Sequence, residues 1–305
     1  MNENYLTGRV YAQKVELLLR IMPIVMEEGV FAVHGGTAIN LFLKDLPRYS
    51  VDIDLTYIPL ADRKQSLDDI NLHLASICEK AKKAFKGMHI KPNYDTSKLL
   101  CEWRGKQVKV EVNQTKRGLV GGENITVPLS EKAQNEFGLY CEANIVPLTQ
   151  LYGGKIAAAL SRQHPRDLLD VKYMDIPLAD CREGLIFCLL GSDRPIHESF
   201  APRLIDQSEA MANQFDGMTD IPFTYAEFEE TRTKLIDDVN GMMSEADKNF
   251  LVSFEQGKPE WEGYEFAYMR NYPSVKWKLF NLAKLAKQNP EKLTKEAAKL
   301  KSIFK

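Results

Sequence analysis

Apolar residues recur at helical spacing at Val15, Leu18, Leu19, Met22 and Val25, and Glu27-Glu28-Gly29 closes the pattern with a glycine stop, which predicts a first helix. Phe31-Ala32-Val33 is a short apolar run ended by Gly35-Gly36. Thr37 follows, then Ala38, Ile39, Leu41 and Phe42 at helix-like spacing, so strand, turn and helix are expected in that order. Val51-Asp52-Ile53-Asp54-Leu55 alternates apolar with polar, as a strand with one buried face does, and its two acids share the other face. A helix is expected over 67–85. Alternating runs over 98–103 and 106–112 read as a hairpin turned by Arg104-Gly105. A strand over 139–143 leads to a helix over 149–161, and Pro165 opens another at Arg166.

From about residue 148 the patterns are mainly helical, with breaks over 191–195, 216–222 and 257–259. The expected class is α+β: a mixed sheet flanked by helices over 1–147, followed by a mainly helical domain over 148–305.

Composition narrows the function classes. The chain of 305 residues is 44% hydrophobic, enough for a sizeable core. Forty Lys and Arg against forty-two Asp and Glu leave a net charge of −2, so no global positive field recruits nucleic acid and no DNA-specific binding is expected. Any basic surface is local: 276–305 holds nine lysines and two glutamates, interleaved with Trp277, Leu279, Phe280, Leu282 and Leu285. That stretch suits RNA contact or a solvated amphipathic helix equally. Cys78, Cys101, Cys141, Cys181 and Cys188 share no C-x-x-C spacing, which suits a reducing compartment. Charged residues among the apolar ones before Val30 argue against a signal peptide or a membrane span, so a cytoplasmic protein is expected. The five histidines lack zinc-ligand spacing, and there is no Walker A run.

The chemistry-bearing pattern is Asp52-x-Asp54. Two acids two residues apart on a strand project to one side, roughly 6.5–7 Å apart along the chain, near enough to share divalent cations. By itself the pattern more often marks an exposed strand face. Gly35-Gly36-Thr37 at a strand-to-helix turn adds backbone N–H groups and a positive helix end that suit phosphate oxygens, with the Thr37 hydroxyl as a further contact. A Gly-Gly pair alone more often means a tight turn.

Gly35-Gly36-Thr37-Ala38, Leu46-Pro47-Arg48-Tyr49-Ser50 and Asp52-Ile53-Asp54, followed by Lys155, Ala157-Ala158-Ala159, Arg162 and Pro165-Arg166-Asp167-Leu168-Leu169-Asp170, resemble the AbiEii/AbiGii toxin branch of the DNA polymerase β-like nucleotidyltransferases. The resemblance runs over 31–171 and, more loosely, 250–261. It implies a minimal nucleotidyltransferase core followed by helices, with Asp52 and Asp54 on the metals, Gly35, Gly36 and Thr37 around the triphosphate, Lys155 on its phosphates and Asp167 as a further essential acid. The superfamily adds a third carboxylate from a later strand. Glu111, mid-strand between Val110 and Val112, is the candidate for that position and for the base, although many members carry Asp there; a solvated strand face fits the local sequence equally well. Lys155 and Arg162, two helical turns apart, are able to face one cleft, or simply a solvated helix face; Asp167 is a candidate to orient Lys155 or Arg166, Asp170 ranks behind it, and both also suit the first turn of a helix simply as acids. Arg48 is a phosphate-neutralising candidate or a surface arginine.

The expected function is transfer of a nucleoside monophosphate from a nucleoside triphosphate to an acceptor hydroxyl, with two Mg2+ ions, or Mn2+, bridging the reactants. The resemblance further implies the toxin half of a bacterial toxin–antitoxin or phage-defence pair, RNA (a tRNA 3′ end) as acceptor and a cognate antitoxin as partner. The alternative is a regulatory, antitoxin-like nucleotide-binding protein that modifies a partner protein or lacks catalysis.

Overall fold

The computed structural model describes residues 3–305, with side chains from Gly8 onward; residues 1 and 2, where the expected first domain begins, lie outside the described residues. The chain divides into two compact units, Met1–Pro147 with Met211–Pro222, and Leu148–Ala210 with Phe223–Lys305. The sequence reading placed everything after residue 147 together, whereas Met211–Pro222 counts with the first unit. Long-range hydrogen bonds explain the difference: Tyr49 N–H donates to Met218 O at 2.8 Å, and the Thr219 hydroxyl to Pro47 O at 2.6 Å. No local pattern reports such a contact.

The first unit runs α1 (Glu3–Met26), β1 (Phe31–His34), α2 (Gly35–Thr37, continuing as a wider π-type turn Ala38–Leu43), β2 (Asp52–Tyr57), α3 (Arg63–Ala84), β3 (His89–Asn93), β4 (Lys98–Trp103), β5 (Lys106–Val112), β6 (Ile125–Pro128), α4 (Glu131–Phe137) and β7 (Glu142–Ile145). Its seven strands form one mixed sheet in the order β3-β4-β5-β2-β1-β7-β6, with β2/β5 and β1/β7 parallel and the other pairs antiparallel. The apolar stripe of α1, Val15, Leu18, Leu19, Met22 and Val25, is fully buried, as its spacing predicts.

The β4–β5 hairpin closes through Arg104 (φ 51°) and Gly105 (φ 71°), the double left-handed turn that matches strand twist. β3 and β6, which the sequence reading omits, are the sheet's two edges. Both lack clean alternation: β3 contains Pro92 and buries only Ile90, and β6 is exposed or half-buried throughout. The strand expected over 139–143 begins only at Glu142, after α4, and ends at Ile145.

The second unit is helical: α5 (Leu148–Arg162), α6 (Pro165–Lys172), α7 (Arg182–Leu190), α8 (His197–Phe200), α9 (Ser208–Ala210), α10 (Tyr225–Met242), α11 (Glu245–Glu255), α12 (Pro273–Gln288) and α13 (Pro290–Ile303). Helices α5 and α7 meet backbone to backbone at Gly153 and Gly184, where a Cβ on Gly153 would stand 2.3 Å from the Gly184 carbonyl carbon. Thr224 with Glu227 and Ser244 with Asp247 form capping boxes that start α10 and α11. The aromatic stretch after α11 is packing material: Tyr264 stacks on Phe250 with ring centroids 3.8 Å apart and donates its hydroxyl to Asp247 at 2.9 Å.

Candidate active site

The turn from β1 into α2 is shaped around Asp54. Gly35 has φ +74°, a conformation that favours glycine, and a Cβ there would press on Asp54 Oδ2 at 3.1 Å. At Gly36 a Cβ would stand 2.7 Å from Arg48 Nη2 and 2.9 Å from Ser50 Oγ. His34, the residue before the helix, is extended and gives no side-chain cap to the start of α2.

Thr37 is placed differently from expectation. Only 1% exposed, its hydroxyl donates to the Asp52 carbonyl and lies 3.1 Å from Ser50 Oγ. It therefore ties the glycine turn to β2, and only its backbone N–H remains as a phosphate donor. Asn40 Nδ2 donates to Gly36 O at 2.9 Å and secures the other side of the turn. Arg48 is 3% exposed, so it is no surface arginine; Nη1 donates to Tyr49 O at 2.9 Å while Nη2 fills the space beside Gly36.

Asp52 and Asp54 are half-buried on one face of β2, with Ile53 and Leu55 buried on the other. Parallel pairing with β5 sets Asp52 opposite Lys109 and Asp54 opposite Glu111, and brings all four side chains to the same face. Glu111 is occupied there: Oε1 lies 2.9 Å from Lys98 Nζ and Oε2 2.9 Å from Lys109 Nζ. Burial pushes the Glu111 carboxyl up, but hydrogen bonds from Lys109 and Lys98 outweigh it and hold the group below the usual carboxylate range. So placed, the Glu111 carboxylate is held by two lysine ammonium groups rather than standing free beside Asp54. Lys109 loses by desolvation and gains more from Glu111, Asp52 and Asp54, which raises its pKa and keeps it charged.

The residues expected from the second sequence block form a cluster within the second unit. Lys155, on α5 and 5% exposed, has its Nζ 3.0 Å from Asp167 Oδ1 and 2.9 Å from Asp170 Oδ2, both on α6. Arg162 Nη2 lies 2.8 Å from Asp167 Oδ2, a contact of charge rather than a well-directed hydrogen bond, and 53% of the Arg162 side chain is exposed. Asp167 is opposed by burial, yet Lys155 and Arg162 hold its pKa below the ordinary value. Asp167 thus orients Lys155 and Arg162, and Asp170, which the sequence ranks behind Asp167, grips Lys155 as closely.

The family model for the nucleotidyl transferase AbiEii toxin of type IV toxin–antitoxin systems matches residues 16–281. The chain belongs to the AbiEii family. It is therefore a nucleotidyltransferase of the type IV toxin class. Among solved structures it resembles MenT4, a nucleotidyltransferase toxin from Mycobacterium tuberculosis H37Rv, with TM-score 0.58 and 15% identity over 92% of this chain and 99% of that one. At that identity the likeness is one of fold. No curated protein matches the chain. No helix among the described residues is long and apolar enough to cross a membrane.

For this AbiEii-family chain, sequence reasoning overlooked Lys109, Lys98, Ser50 and the full part of Asp170. The signal for Lys109 was present: the alternation of β5 puts it on the face of Glu111, and the face matters once β5 pairs with β2. Among the described residues no group of three or more acids, histidines or cysteines converges as a ready metal cage. The donor set still fits a hard cation, because magnesium is commonly held by one or two carboxylates with substrate phosphates completing its shell, and Asp52 and Asp54 supply such a pair on one face of β2 beside the glycine turn.

Proposed function

We propose that this AbiEii-family enzyme transfers a nucleoside monophosphate from a nucleoside triphosphate to an acceptor hydroxyl on RNA, a tRNA 3′ end, releasing pyrophosphate. The observation that carries the reading is the pairing of Asp52 and Asp54, on one half-buried face of β2, with a glycine turn whose Gly35 leaves room for Asp54. Asp52 and Asp54 would hold divalent cations, Mg2+ first among them, which when bound neutralise the triphosphate and the departing pyrophosphate. The backbone N–H groups of Gly35, Gly36 and Thr37 hold phosphate oxygens, and Arg48 backs the turn with positive charge.

Lys98 and Lys109 are placed to exchange the Glu111 carboxylate for phosphate oxygens, which frees Glu111, directly across from Asp54, to join the carboxylate pair. In the second unit the mostly exposed Arg162 is the residue suited to meet a phosphate, while Lys155, Asp167 and Asp170 fix the α5–α6 corner that carries it. An antitoxin encoded alongside it would be the partner of a type IV toxin.

The test is to incubate the protein with each α-labelled nucleoside triphosphate, magnesium, and either deacylated tRNA or a protein extract. Label at the tRNA 3′ end supports the reading. Label on protein alone, or none on RNA with any nucleotide, contradicts it.

A further inference from the structure

Helix α12 presents two faces. Val275, Lys278 and Leu282 are buried, and Lys278 is no free cation: its Nζ donates to Arg194 O at 2.7 Å inside the second unit. The opposite face is unusual for its composition. Trp277 and Phe280, one helical turn apart, are 51% and 60% exposed, and their rings stack with centroids 5.6 Å apart and planes at 19°. Lys284 and Lys287 continue the same stripe at the next helical steps, Lys276 flanks it, and all three are exposed. The helix contains no Asp or Glu.

Two exposed rings stacked on each other form a contiguous apolar patch, and such patches mark interaction sites more often than scattered apolar residues do. A face carrying only positive charge selects a polyanion, and a polyanion with flat apolar groups of its own is a nucleic acid with unpaired bases. A duplex would hide those bases, and an ordinary protein surface would bring charges of both signs. We infer that the Trp277–Phe280 face is a stacking platform for single-stranded RNA, with bases against the rings and Lys276, Lys284 and Lys287 along the phosphates. The inference deepens the RNA-acceptor reading and rests on it for the choice of RNA.

The experiment measures binding of a labelled single-stranded oligoribonucleotide and of tRNA to the full chain over a range of salt concentrations. Wild type should bind the oligoribonucleotide, with Trp277 emission quenched on stacking. Trp277→Ala with Phe280→Ala should weaken binding at least about tenfold while leaving the salt dependence in place. Lys276→Gln with Lys284→Gln and Lys287→Gln should instead flatten the slope of log affinity against log salt by about two. Both sets of changes lie on exposed positions, and an unchanged thermal midpoint confirms the fold. Wild-type affinity in the double aromatic variant, or no RNA binding by wild type, overturns the inference. Asp52→Asn separates the two readings: it should bind RNA as wild type does, so a failure of nucleotide transfer and a failure of the platform are read independently.

Discussion

The Cβ that Gly35 lacks would stand 3.1 Å from Oδ2 of Asp54, so the glycine turn and the second acid occupy closely adjoining space. Gly35→Ala pushes that carboxylate aside by a few tenths of an ångström and strains a backbone held at φ +74°. Transfer should fall by at least about tenfold, with a stability loss of about 1–3 kcal/mol, read from initial rates and urea midpoints. An alanine variant with wild-type rates would show that the turn does not set the position of Asp54.

Lys155 lies between Asp167 and Asp170 in a nearly dry corner. Removing one partner of a buried ion pair strands the other charge, which costs about 3–5 kcal/mol. Lys155→Met should therefore lower the unfolding free energy by about that amount, whereas Arg162→Gln, at a mostly exposed side chain, should cost under about 1 kcal/mol. Equilibrium denaturation distinguishes them. Equal costs would place the structural weight of the cluster elsewhere.

Acid should weaken the same corner. The pKa of Asp167 is depressed in the folded chain, so its contribution is complete above the ordinary carboxylate value of 3.8 and drains away as pH falls through the lowered value. Asp247 behaves alike: burial opposes its charge, but Ser244 and Arg182 outweigh that. Denaturation midpoints should be flat from pH 7 to about 5 and fall below pH 4, and Asp167→Asn should flatten the acid limb while lowering the plateau.

Lys109 faces Asp52 across the β2–β5 pair and holds Glu111. If its charge serves the phosphates, Lys109→Gln should raise KM for the nucleoside triphosphate by about tenfold, the effect of one lost charged contact of roughly 1.5 kcal/mol, with a smaller change in kcat. A kcat loss at constant KM would instead assign Lys109 to the reacting state alone.

The architecture was legible where periodicity is strong. The α1 stripe, the β1–turn–α2 unit, the two-residue β4–β5 turn and the acid-bearing β2 follow from side-chain spacing and from residues that tolerate positive φ. The edge strands β3 and β6 were not, because one carries Pro92 and the other buries no residue, so neither leaves a period-two signature. At the site, Asp52, Asp54, Gly35 and Gly36 stand out because their chemistry is local. Thr37 and Glu111 read differently in three dimensions, since each is engaged by a group distant in sequence or on another element: the Asp52 carbonyl and Lys98. Which face a charge occupies is a property of the residue; what it meets there is a property of strand pairing.

The central claim is that Asp52 and Asp54 together carry nucleotidyl transfer, and the direct measurement is release of labelled pyrophosphate coupled to RNA labelling by wild type, Asp52→Asn and Asp54→Asn at matched, folded concentrations. Neither acid is fully buried, so both variants should melt within about 1 kcal/mol of wild type. The account predicts that each lowers the rate by at least about a thousandfold, and that excess Mg2+ or Mn2+ does not restore it. Transfer within tenfold of wild type in either folded variant would contradict it.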